Sequence, residues 1–142
     1  MRRTIAVILV AVALAGCGGS KPKANPTPTN SGMPMPAATC TPGSGPLVLV
    51  AKDTTYDKSC LATAANKAFT ITFDNRDAGI QHNMVIFTKD PDQNPSAVMV
   101  FRGALVIGPA KATYNVPAQV AGTYHFHCEV HPTAMFGALV VK

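Results

Sequence analysis

The chain has 142 residues, room for one domain and little else, and a formal net charge of +5. Arg2 and Arg3 fall in a segment expected to be removed, which leaves ten cations against seven carboxylates with no basic run among them. Without such a run or a base-reading motif, nucleic acid is excluded as a partner, and the 47% hydrophobic share overstates the core because the N-terminus inflates it.

Met1, Arg2 and Arg3 give a positive start, and residues 5–15 are an apolar run too short to span a bilayer as a stable helix. That combination predicts a secretory signal over residues 1–16. It closes on Leu14-Ala15-Gly16-Cys17, which resembles a bacterial lipobox. The resemblance to bacterial lipoproteins implies cleavage before Cys17, acylation of that cysteine, and attachment to a membrane on the extracytoplasmic side of the cell envelope. Several acyl chains on one residue hold lastingly, at ~0.8 kcal/mol per buried methylene. Ordinary secretion with a chance cysteine is the competing reading, and the small residues ahead of Cys17 favour the lipoprotein.

After Cys17, residues 18–39 are mostly Gly, Ser, Lys, Pro, Asn and Thr. Such a composition buries too little to offset its ordering entropy, so 17–39 is expected to be a disordered tether. The folded domain is expected from Cys40 to Lys142. Of the four cysteines, Cys17 ends the leader and Cys128 lies in a ligand-rich loop. Cys40 and Cys60 are left over, and in an exported protein they are expected to pair as a disulfide. Closing that loop is worth ~3 kcal/mol in the chain-entropy model.

From Cys40 onward, short β-rich runs alternate with turn residues. Strands are expected at 47–51, 68–73, 83–87, about 97–102, 112–116, 122–128 and 136–141, with a short turn near 61–66. Phe69, Ile71 and Phe73, and again Tyr124, Phe126 and Cys128, show the alternation of half-buried strands. The fold class is therefore all-β, a Greek-key sandwich or barrel of about seven to eight strands.

The richest stretch is Gly122-Thr-Tyr-His-Phe-His-Cys128-Glu-Val-His131-Pro-Thr-Ala-Met135-Phe-Gly137. Cys128, His131 and Met135 offer a thiolate, an imidazole and a thioether on one loop. With a second imidazole the set is two histidines and a cysteine in a trigonal plane with a weak axial methionine, which suits one copper ion cycling between Cu(I) and Cu(II). His82 is the expected supplier, more than forty residues earlier. Zinc would accept one cysteine and two histidines, but the methionine argues for copper. Pro132 is expected to stiffen the loop and Gly137 to bend the chain into the last strand. Asn83 is a candidate to brace the site by bridging to the loop of Cys128. By alternation Tyr124 and Phe126 point to the core with Cys128, whereas His125 and His127 face outward and are not ligands of this ion. Glu129 is expected to be solvated.

The last hundred residues resemble the plastocyanin/azurin group of cupredoxins, through Phe73-Asp-Asn-Arg-Asp-Ala-Gly79 leading to His82-Asn83 and through the spaced set Cys128, His131, Met135 and Gly137. The resemblance implies a Greek-key sandwich with one type 1 copper ion held by His82, Cys128, His131 and axial Met135. It implies one-electron transfer to redox proteins that dock at the exposed edge of His131, by a monomer that is not an enzyme. A copper-capturing and copper-delivering lipoprotein would use the same four ligands. A binuclear copper centre would need a second cysteine beside Cys128, and none is there.

Overall fold

The computed structural model describes Cys40 and residues 45–142. The expected signal, Cys17 and the 17–39 tether lie outside the described residues. Among those residues there are eleven strands and no helix. β1 (Leu47–Lys52), β2 (Thr55–Tyr56), β4 (Phe69–Asn75) and β9 (Ala110–Val116) form one sheet in the order β2-β1-β4-β9. β3 (Cys60–Thr63), β11 (Phe136–Val141), β10 (Gly122–His127), β6 (Val85–Phe87) and β7 (Met99–Arg102) form a second sheet in that order. A small ribbon of β5 (Gln81–His82) and β8 (Val106–Ile107) completes the set. β1 pairs parallel to β4, and β3 parallel to β11, so sequence neighbours repeatedly cross between sheets, as Greek-key connections require. This is an all-β sandwich. Three of the eleven strands have only two residues, which leaves the eight longer ones as its body.

The core lies between the two sheets. Leu49, Ala51, Ile71, Phe73, Tyr114 and Val116 from the first meet Ile86, Tyr124, Phe126, Leu139 and Val141 from the second. The rings of Phe73 and Tyr114 stack at 5.3 Å, and Tyr56 leans on Phe126 at 5.7 Å. Tyr124, Phe126 and Cys128 share the inward face, as their alternation predicts, and all three are buried.

Three expectations need correction. The turn near 61–66 is in part a strand: β3 covers Cys60 to Thr63, and Leu61 and Ala62 are both buried, so the run lacks the alternation that marks a strand. Residues 83–87 do not form one strand, because His82 ends β5 and β6 starts only at Val85. Gly137 does not bend the chain. It lies within β11 directly opposite Phe126, whose ring lies where a Cβ would project, with the carbonyl oxygen of Ser59 only 2.6 Å from that point. Glycine is needed there for space.

The chain is joined to β3 by a disulfide between Cys40 and Cys60. Lys142 Nζ donates to the Cys40 carbonyl at 3.2 Å, so β11 and the disulfide are also joined through Lys142.

Gly137→Ala should destabilise the sandwich by about 1–3 kcal/mol, the usual cost of forcing a methyl group into a filled core. The midpoint of urea unfolding should fall with an unchanged slope.

Candidate metal centre

His82 closes β5, where its register partner is Val106. The connection from β4 to β5 that delivers it is organised by Asn75, which is fully buried. The Asn75 side-chain amide donates to the carbonyls of Ile80 and Val106 at 2.8 and 2.7 Å, and its oxygen accepts from the Asp77 N–H at 3.0 Å. Cys128 follows directly on β10, and the loop after it closes on itself. Cys128 N–H donates to the Met135 carbonyl at 2.8 Å, and the N–H groups of Ala134 and Met135 both donate to the His131 carbonyl. This tight turn returns the chain to β11 with His131 at its apex.

Three of the predicted ligands converge. Cys128 Sγ stands 3.7 Å from His82 Nδ1 and 3.9 Å from His131 Nδ1, and the two Nδ1 atoms are 3.1 Å apart. An ion about 2.0 Å from each nitrogen and about 2.3 Å from sulfur, in a trigonal plane, needs separations of about 3.5–3.7 Å. The observed triangle is within a few tenths of an ångström of that. His82 and Cys128 are wholly buried, whereas His131 is only partly so. Met135, the fourth predicted ligand, is wholly buried in the same cluster as Cys128, with its backbone tied to Cys128 and His131. The donor set fits a soft or borderline metal ion, because two ring nitrogens and a sulfur are turned on one point.

The orientation of His82 is fixed from behind by Asp77, a residue the sequence reading missed. His82 Nε2 lies 2.9 Å from Asp77 Oδ2. An ionised carboxylate only accepts, so Nε2 carries the proton and Nδ1 presents its lone pair to the site. Asp77 also accepts from the N–H groups of Thr54 and Asp53, at 2.9 and 2.6 Å. Those two residues form the turn between β1 and β2 and both have positive φ, 55° and 52°. These bonds, that of Thr54 foremost, hold the Asp77 carboxyl below the usual carboxylate range despite its burial. The available signal was an aspartate five residues before a ligand histidine.

Asn83 is fully buried and bridges the two halves of the site. Its side-chain oxygen accepts from the Glu129 N–H at 3.0 Å, and its nitrogen donates to the Gly103 carbonyl and to Glu129 Oε2 at 3.0 and 3.1 Å. The phenol of Tyr56 donates to the Asn83 carbonyl at 2.5 Å, and burial pushes that phenol far above its ordinary range. Glu129 is not simply solvated, as expected. Arg102 Nε meets it at 3.0 Å and the terminal guanidinium nitrogen pairs with its other oxygen, so Arg102 first, and Asn83 after it, hold its carboxyl below the usual range.

His125 and His127 depart furthest from expectation. Both face away from the core, yet they are only 7% and 9% exposed. On that outer side of β10 the Phe87 ring lies 5.0 Å from His127, and Phe136 stacks on His125 at 6.3 Å. Burial pushes both imidazoles below their ordinary pKa.

A family model for the cupredoxin-like domain matches residues 6–141. Among solved structures the chain is similar to auracyanin A, a "blue" copper protein of the green thermophilic photosynthetic bacterium Chloroflexus aurantiacus. That match has 25% identity and a TM-score of 0.56, over 69% of this chain and 100% of the other. Dithionite-reduced auracyanin from Roseiflexus castenholzii is 20% identical with a TM-score of 0.57, over 68% of this chain and 95% of its own. Auracyanin B is 21% identical with a TM-score of 0.57, over 74% and 93%. The last two speak to the fold alone. No curated protein sequence matches the chain.

Asp77→Asn should lower metal affinity about 10- to 100-fold, the usual effect of losing the partner that orients a ligand histidine. Competition with a chelator of known affinity reads this out; equal affinity in both chains would mean that Asp77 serves only the β1–β2 turn.

Proposed function

The chain belongs to the cupredoxin-like family, and from that membership we propose that it is an extracytoplasmic blue-copper protein passing single electrons between redox partners. The observation that carries the reading is the convergence of His82 Nδ1, Cys128 Sγ and His131 Nδ1 on one point. The blue-copper character of auracyanin A supports it. In this proposal His82, Cys128, His131 and Met135 would hold one copper ion. A bound copper ion supplies the one-electron couple between Cu(I) and Cu(II).

The surrounding side chains then do three things. Asp77 keeps the proton of His82 on Nε2, so that Nδ1 is free to bind in either oxidation state. Asn83 and the loop bonds of Cys128 hold the donors in one arrangement, which suits electron transfer because little rearrangement accompanies a change of charge. Burial of His82 and Cys128 excludes water, leaving partly exposed His131 as the edge at which partner proteins dock. Delivery of copper by the same ligands is the second reading. The buried, doubly braced ligands favour a resident ion over one that is handed on.

The proposal extends to the N-terminus. Residues 1–16 are a signal peptide, Cys17 carries the lipid that anchors the protein in a bacterial membrane, and 18–39 tether a monomeric domain from Cys40 to Lys142. The lipobox-like Leu14-Ala15-Gly16-Cys17 supports this extension.

The full chain with one equivalent of Cu(II) should show an intense visible band and narrow copper hyperfine splitting in EPR, both lost reversibly on reduction. Cys128→Ser should abolish the band while leaving the β-sheet circular dichroism intact. A wild-type spectrum of ordinary Cu(II) would move the delivery reading to the front. For the anchor, labelled fatty acid should enter the wild-type chain and be absent from Cys17→Ala; equal labelling of both would remove Cys17 as the lipid site.

A further inference from the structure

The mechanism proposed above leaves two buried imidazoles unused. His125 and His127 lie two residues apart on the outer face of β10, with His125 Nε2 and His127 Nδ1 3.3 Å from each other. The ring centroids are 5.3 Å apart at 77°, closer than two imidazoles joined head-on across such a gap, so the contact is bent. From this arrangement we infer a second metal site, separate from the first, in which His125 Nε2 and His127 Nδ1 chelate one borderline divalent ion such as Zn2+ or Cu2+. An ion about 2.0–2.1 Å from each nitrogen would be seen from the two at roughly 104–111°, the angle of a tetrahedral centre.

The pair serves poorly as a purely structural feature. With His125 Nε2 turned on His127, His125 Nδ1 is buried without a partner whether a proton or an ion lies between the rings. Whichever ring donates, that atom is a bare acceptor or a bare donor, and either costs more than an apolar side chain at the same place. Two neutral imidazoles turned toward one point are instead a ready bidentate ligand.

The charge around the pair agrees. Asp90 and Asp92, on the segment between β6 and β7, exert their negative charge on both rings, and Phe87 and Phe136 flank them. The Asp90 carboxylate is already engaged by the Asp92 N–H and the Gln93 amide. No third imidazole, thiolate or carboxylate stands with the pair among the described residues, so water would complete the coordination. The site contains no sulfur, so it suits ions that the thiolate centre does not monopolise.

Imidazole 15N NMR of the full chain titrated with Zn2+ tests the inference directly, because the sequence has only four histidines. The ring nitrogens of His125 and His127 should shift together and saturate with one equivalent, distinct from the shifts of His82 and His131. His125→Asn should reduce the zinc bound at saturation by one ion per chain and leave the His82 and His131 shifts unchanged. If that variant does not fold, the wild-type titration still decides. Zinc that saturates the chain without moving the His125 and His127 resonances would overturn the site and leave a hydrogen-bonded pair. Failure of the first centre would instead appear as immobile His82 and His131 resonances, so the two outcomes are distinguishable.

Discussion

The centre depends on the side-chain amide of Asn83. His82 and Cys128 are forty-six positions apart and arrive on different strands, so no local preference of the chain brings them together. The Asn83 oxygen holds the N–H of the residue after Cys128, while Asn83 itself directly follows His82. One buried amide thus fixes the separation of the two chain segments that supply the deepest donors. Its own position is fixed by Gly103, just past the end of β7, and by Tyr56 on β2. A buried amide with every polar atom engaged is costly to rearrange, so the geometry of the donors is a property of the whole sandwich.

Asp77 carries a second constraint of the same kind. It joins the ring of His82 to a turn whose two residues adopt left-handed backbone, a conformation unfavourable without support. The β1–β2 turn and His82 therefore share one carboxylate. Both polar braces rest on the packed core beneath them, where Phe126 fits only because residue 137 has no side chain.

Alternation along β10 shows which way Tyr124, Phe126 and Cys128 point, and the ligand chemistry of residues 128–135 is written contiguously. These were legible because each depends on nearby residues. The burial of His125 and His127 depends on rings that the flanking strands set beside them, Phe87 of β6 and Phe136 of β11, and no period within β10 carries that information. β3 was read in part as a turn because its centre is buried on both sides. β2, β5 and β8 are too short for any period to register, and they exist only through their partners. Asp77 meets the β1–β2 turn and Tyr56 meets Asn83 across more than twenty positions of chain. The cluster of His82, Cys128 and His131 and the bridging Asn83 could be read from the sequence, but not Asp77 and Tyr56, which hold His82 and Asn83 from behind.

The disulfide between Cys40 and Cys60 determines how the domain bears mechanical load. A pull at Cys40 enters β3 through a covalent link before it reaches β1. β3 is the edge strand of its sheet and is held by β11; β10, which leads to Cys128, lies beyond β11. A load applied at Cys40 is therefore taken up first by β3, two strands away from the one that leads to Cys128.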